Sequence, residues 1–165
     1  MAKDNSFDIV SETNMQEVEN AVNNAVKALR QRYDLKGSGA TLELDKAAGT
    51  ITVCAPSEFV AGQVRDLLNT HLVRRNVELA AVKWGAPQDA AGSTVRVVGS
   101  ICQGIEQELA KKINKDIKAQ KFKVKVQIEG EKLRVSAPKR DELQAVIAFL
   151  REQDYGIPLQ YVNYR

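Results

Sequence analysis

The chain has 165 residues, 44% of them hydrophobic, and 24 Lys and Arg against 21 Asp and Glu for a net charge of +3. That suits one large domain or two small ones with a proper core. No apolar run approaches the ~20 residues of a membrane-spanning helix. The opening MAKDNSFDIV has no apolar stretch like a signal peptide, so a soluble, cytoplasmic protein is expected. The charge is uneven: residues 1–92 carry a net −2 and residues 93–165 a net +5, which hints at an anionic partner for the second half.

In chain order, SFDIVSE (6–12) alternates Phe7 and Ile9 with polar residues, as a strand does. A helix follows, striped by Val18, Val22, Ala25 and Leu29, with Asn14 placed to cap it. The KGSGA stretch (36–40) reads as a turn, since nothing after its GxG builds a phosphate loop. ATLELD (40–45) and TITVCA (50–55) form a hairpin across a short loop ending in Gly49. A second helix carries Val60, Val64, Leu67, Leu68 and Leu72, and VELAAVKW (77–84) is expected as a strand. GAPQDAAGS (85–93) has a linker's composition.

The same order then recurs. TVRVVGSI (94–101) is a strand, residues 104–120 a helix striped by Ile105, Leu109, Ile113 and Ile117, and KVKVQIEG (123–130) with KLRVSA (132–137) a hairpin about Gly130. A helix with Leu143, Val146, Ile147 and Leu150 and a last strand LQYVNY (159–164) complete the set. TITVCAP (50–56) lies over KLRVSAP (132–138) at an offset of 82 residues, which also sets Val64 on Val146 and Leu68 on Leu150. The expected fold is therefore α+β: two tandem ferredoxin-like βαββαβ domains, each a four-stranded antiparallel sheet with two helices on one face. The expected boundaries are 1–84 and 94–165, with 85–93 as linker; an exchange of strands between the two is left open by the pattern.

Alternation sorts the second hairpin into two faces. Val124, Val126, Ile128, Leu133 and Val135 turn to the helices, while Lys123, Lys125, Gln127, Lys132 and Arg134 turn away, with Arg96 expected beside them. The matching residues of the first unit, Thr41, Glu43, Thr50, Thr52 and Cys54, are neutral to acidic. The central strands expose no aromatic, which disfavours the base-stacking sheet of RNA-recognition domains. Tyr161 and Tyr164 are expected on opposite faces of the last strand. On the helix 104–120, Lys111, Lys115 and Lys118 fall within about 60° of one another and form a ridge opposite the apolar stripe; Lys121 continues it. At SAPKRDELQ (136–144) a strand runs into a helix start. There Ser136 is expected as cap and Pro138 in the first turn, with Lys139 and Arg140 beside free backbone N–H groups that favour an anion. Asp141 and Glu142 occupy the same turn.

Catalytic chemistry is lacking. His71 is the only histidine, so neither a usual zinc site nor a Ser-His-Asp or Cys-His nucleophile has its parts. Cys54 and Cys102 read as reduced thiols. No enzyme activity, cofactor or metal is expected.

SFDIVSE with MQEVENAV (15–22), QGIE (103–106) with AKKINKDIK (110–118), KVKVQIEG with LRVS (133–136), RDELQAVI (140–147) and the ending PLQYVNYR (158–165) together resemble the YajQ family of bacterial nucleotide-binding proteins, in order and over nearly the whole chain. The resemblance implies tandem ferredoxin-like domains, open to an exchange of N-terminal strands, and nucleotide or RNA binding without catalysis. Some family members are receptors for cyclic di-GMP that act through a transcription regulator. Two departures remove positive charge: Cys102 stands where the family has a lysine before QGI, and Ser136–Ala137–Pro138 replaces Thr-Gly-Lys at the strand-to-helix corner. The residues then point to a nucleotide (cyclic di-GMP, GTP or ATP) on Arg134 first, with Lys123, Lys125, Lys139 and Arg140. The alternative is tRNA or another RNA on Lys111, Lys115, Lys118 and Lys121. In a third arrangement the neutral first unit docks on a regulator while the second senses ligand. A monomer is expected.

Overall fold

The computed structural model describes residues 4–35 and 37–165; Lys36, in the expected turn at 36–40, lies outside the described residues. The elements are β1 (Asn5–Val10), α1 (Met15–Gln31), β2 (Thr41–Asp45), β3 (Thr50–Ala55), α2 (Glu58–Arg74), β4 (Val82–Trp84), β5 (Gln88–Ala90), β6 (Thr94–Ile101), α3 (Gln107–Ala119), β7 (Lys125–Glu129), β8 (Lys132–Ala137), α4 (Arg140–Arg151) and β9 (Gln160–Val162). All strand pairings are antiparallel. Among the described residues four helices and two sheets, of four and five strands, make an α+β fold consistent with two ferredoxin-like domains.

The helices start where local chemistry allows. Asn14 Oδ1 accepts from the N–H groups of Gln16 and Glu17 at 3.1 and 3.2 Å, capping α1. Ser57 Oγ accepts from Val60 N at 3.2 Å and caps α2. One face of each helix is apolar and buried: Val18, Val22, Ala25 and Leu29 on α1, and Leu143, Val146, Ile147 and Leu150 on α4.

The sheets are completed across the chain rather than along it. One runs β7-β8-β1-β9, the other β2-β3-β6-β4, with β5 also on β6. Phe7 lies opposite Val135 and Ile9 opposite Leu133; Val53 lies opposite Val97. Thus β1 fills the central slot of the C-terminal sheet and β6 the same slot in the other. The compact units are Thr13–Cys102, and the residues up to Glu12 together with Gln103–Arg165. This differs from the contiguous division at 85–93, because β1 and β6 carry the same apolar alternation and each fits the other's sheet.

Two local differences follow from weaker patterns. The expected strand 77–84 is a 3-10 turn at Leu79–Ala81 and then β4. The expected linker holds β5, which folds back on β6 with Ala90 opposite Thr94 through a turn at Gly92, φ 71. The second sheet therefore has five strands, not four. The exchange also evens the charge: residues 1–12 with 103–165 carry a net +2 and residues 13–102 a net +1.

Each unit has its own core. Phe7, Ile9, Ile113, Leu133, Val135 and Leu150 centre the one containing β1; Val18, Ile51, Val53, Leu68, Leu72 and Val97 centre the other.

Candidate nucleotide site

The first turn of α4 differs from its counterpart in a telling way. The 82-residue repeat sets Ser57 over Lys139 and Glu58 over Arg140. Both Ser57 and Lys139 are the capping residues of their helices, but Lys139 makes no side-chain cap bond. Where α2 has a hydroxyl and a carboxylate, α4 has an ammonium and a guanidinium. Ser136 and Pro138, expected as cap and first turn, lie before the helix instead; Lys139 is the cap and Arg140 the first helical residue. A helix start with open N–H groups and two cations favours an anion. Asp141 and Glu142 share the turn, but Glu142 Oε2 is already engaged by the N–H of Lys123 at 3.4 Å.

Beside this turn lies a pocket of about 270 Å³ lined by Asn5, Ser6, Arg140, Leu143, Gln144, Tyr164 and Arg165. Its size matches part of a nucleotide, since whole small-molecule clefts are about 300–1,000 Å³. Asn5 braces the corner: its Nδ2 donates to Pro138 O at 3.1 Å, and its Oδ1 accepts from Arg140 Nε at 3.5 Å. The wall opposite α4 comes from the last residues of the chain. Tyr164 remains 57% exposed, with one ring face stacked on buried Phe7, centroids 6.1 Å apart and planes at 29°.

Tyr161 also packs on Phe7, edge on, at 6.0 Å. The two tyrosines therefore share the helix side of the sheet, where simple alternation puts them on opposite faces. The cause is a bulge. Asp8 lies opposite Val162 and Ile9 opposite Tyr161, yet Ser6 exchanges both backbone hydrogen bonds with Arg165, at 3.3 and 3.0 Å. One extra residue sits in the last strand, and Asn163 takes it up with φ 57.

The other sheet face holds a charge cluster about Asp8. Asp8 is 1% exposed. Its carboxylate accepts from Arg134 Nε at 3.0 Å and Asn163 Nδ2 at 2.8 Å, with Lys132 Nζ at 3.5 Å. Burial pushes the Asp8 carboxyl up, but the Asn163 amide and the Arg134 and Lys132 cations outweigh it and hold it below the usual carboxylate range. Arg134 also meets Glu129 at 3.6 Å. Its charge is thus matched on two sides rather than free. Arg96, expected beside it, lies opposite Cys54 in the other sheet.

The family model described as nucleotide-binding protein YajQ-like matches residues 5–165. The chain belongs to the YajQ family. Nucleotide-binding proteins of Bacillus cereus (strain AH187), Bacillus anthracis (strain A0248) and Bacillus thuringiensis subsp. konkukian (strain 97-27) are each 47% identical to it over 165 residues, covering all of this chain and all of their own.

In this YajQ-family chain the five expected nucleotide residues fall into two groups. Lys139 and Arg140 start α4, and the backbone of Lys123 reaches the same turn. Lys125 lies opposite Ser136, and Arg134 opposite Asp8. Lys123, Lys125, Lys139 and Arg140 are all exposed. Lys111, Lys115, Lys118 and Lys121 are exposed along and just after α3, and form no ion pair among the described residues. The neighbouring Lys112 differs, pairing with Asp116 at 3.1 Å. Asn5, Ser6, Gln144 and Arg165 carry no signal of a site in the sequence; the pairing of β1 with β8 and of Ser6 with Arg165 brings the strand residues to the start of α4. Among the described residues no three His, Cys, Asp or Glu side chains gather as a metal site. No helix of the described chain is long and apolar enough to cross a membrane.

Proposed function

We propose that this protein binds a nucleotide without transforming it, with the phosphates at the start of α4 and the rest of the ligand in the adjoining pocket. One observation carries this: the helix cap and first residue, Ser57 and Glu58 in one unit, are Lys139 and Arg140 in the other. Arg140 is the principal phosphate grip, able to bond two oxygens at once; Lys139 adds charge at the cap. Lys123 and Lys125 flank the same end of the sheet. Arg134 contributes less than alternation suggests, because a phosphate must compete with Asp8 and Glu129 for it. The names of the relatives, and a sequence with a single histidine, favour binding over turnover.

Cyclic di-GMP, GTP and ATP are the ligands to test. A charge-assisted hydrogen bond is worth about 1.5–3 kcal/mol, so Arg140→Ala should weaken the bound nucleotide roughly 10- to 100-fold by calorimetry. Arg134→Ala should cost less. Equal binding by wild type and Arg140→Ala would move the site elsewhere, and no binding by wild type would remove the ligand class. A cyclic di-GMP response through a transcription regulator requires that the same ligand alter capture of that partner.

A second reading has its own observation. Lys111, Lys115 and Lys118 line one exposed ridge of α3, with Lys121 exposed just after the helix, and none forms an ion pair among the described residues. Such a ridge fits the phosphates of a structured RNA such as tRNA. Each phosphate contact contributes about −0.7 to −0.9 to the slope of log affinity on log salt. Four contacts give a steep slope, and a flat one would exclude this reading.

A further inference from the structure

We infer that Tyr164 is the base-stacking wall of the pocket, and that Asp8 and Asn163 are positioning residues that turn it there. The inference rests on the nucleotide reading above and names the part of the ligand that Tyr164 takes, a purine ring.

Without the bulge, strict alternation would put Tyr164 on the sheet face opposite Tyr161, away from α4. The left-handed conformation of Asn163 shifts the register by one residue and brings Tyr164 to the α4 side. Non-glycine residues adopt that conformation at a cost, least for Asn and Asp. Here it is held from the far side of the sheet, where the buried Asp8 carboxylate accepts from Asn163 Nδ2 at 2.8 Å. Phe7, wholly buried, packs in an offset stack against the Tyr164 ring on the helix side of the sheet. Tyr164 is still more than half exposed, and it lines the same pocket as Arg140. A rigid aromatic plane beside a cationic helix start matches the two halves of a nucleotide: stacking for the base, charge for the phosphates.

The test is calorimetry on the full chain with ATP, UTP and inorganic pyrophosphate. Stacking on an aromatic side chain supports a loss of about tenfold on its removal. Tyr164→Ala should lose about that much for ATP and less for UTP, with pyrophosphate unchanged, while Tyr164→Phe stays within about twofold of wild type. Asn163→Ala should weaken ATP in the same direction without touching pyrophosphate. It should also remove the nuclear Overhauser contact between the Phe7 and Tyr164 rings. Asn163→Gly, which reaches positive φ without strain, should recover most of both. Tyr164→Ala binding ATP as tightly as wild type overturns the wall. Asn163→Ala keeping both the ring contact and ATP affinity overturns the positioning role. If Asn163→Ala fails to fold, the Tyr164 pair still decides. Failure of the nucleotide reading looks different: wild type then binds neither ATP nor pyrophosphate, and this inference falls with it. ATP affinity lost in Arg140→Ala but kept in Tyr164→Ala sinks this inference alone.

Discussion

Among the described residues, Asp8 is the only buried charged side chain. It serves three partners, Arg134, Lys132 and Asn163, so its removal leaves three polar groups to rehydrate. Asp8→Ala should cost about 1–3 kcal/mol at neutral pH. The folded pKa lies below the unfolded value of about 3.9. The carboxylate therefore stabilises the fold fully above that value, and the contribution is lost as pH falls through the folded pKa. Urea unfolding of wild type and Asp8→Ala should show a gap at pH 7 that narrows below about pH 4. A gap equally wide in acid would mean that the loss is packing rather than charge. Alternation correctly turned Arg134 away from the helices, but it could not supply Asp8 as its neighbour. β1 and β6 are equivalent strands, and only long-range pairing decides which of them lies beside Arg134. Tyr164 escaped for a related reason: a period-two argument assumes unbroken register, and Asn163 breaks it.

At the scale of elements, the apolar stripes gave the four helices to within a few residues, since burial on one face is what those stripes encode. Short strands with polar composition did not announce themselves. Gln88–Ala90 has no alternation to read and is held only by pairing with Thr94–Arg96. The turn that leads into α3 shows a sharper constraint. Gly104 has φ 91, donates to Ser11 O, and an added Cβ would stand 2.5 Å from Glu131 Oε2 and 2.9 Å from Glu131 Cβ. The glycine of the QGIE string is thus required by backbone and by space. Gly104→Ala should destabilise by about 1–3 kcal/mol. Gly130 offers the control: φ is 63 but nothing lies within 4 Å of an added Cβ. Gly130→Asn, which tolerates that conformation, should cost under about 1 kcal/mol when the two variants are compared by thermal melts. Equal losses at the two sites would refute the role given to Glu131.

For the whole molecule, the decisive fact is that one unit interrupts the other. Thr13–Cys102 holds every strand and helix of its own sheet, whereas Gln103–Arg165 lacks its central strand. A fragment of residues 13–102 should fold alone, with a cooperative thermal transition by circular dichroism. Residues 103–165 should not, because the slot of Phe7 and Ile9, each worth about 1.5–3 kcal/mol of burial, is empty. The opposite result would mean that the strand exchange is dispensable. The repeat in the sequence announced two units; it could not say which first strand serves which sheet, because both fit. That nesting also orders events during synthesis. Asp8 and its partner Arg134 are 126 positions apart, so at about 5–20 residues per second the nascent chain carries an unpaired β1 for roughly 6–25 seconds. Meanwhile the inserted unit can close behind it. β1 precedes every other described strand off the ribosome yet is among the last to be paired, and its apolar face is the segment most in need of a chaperone's cover.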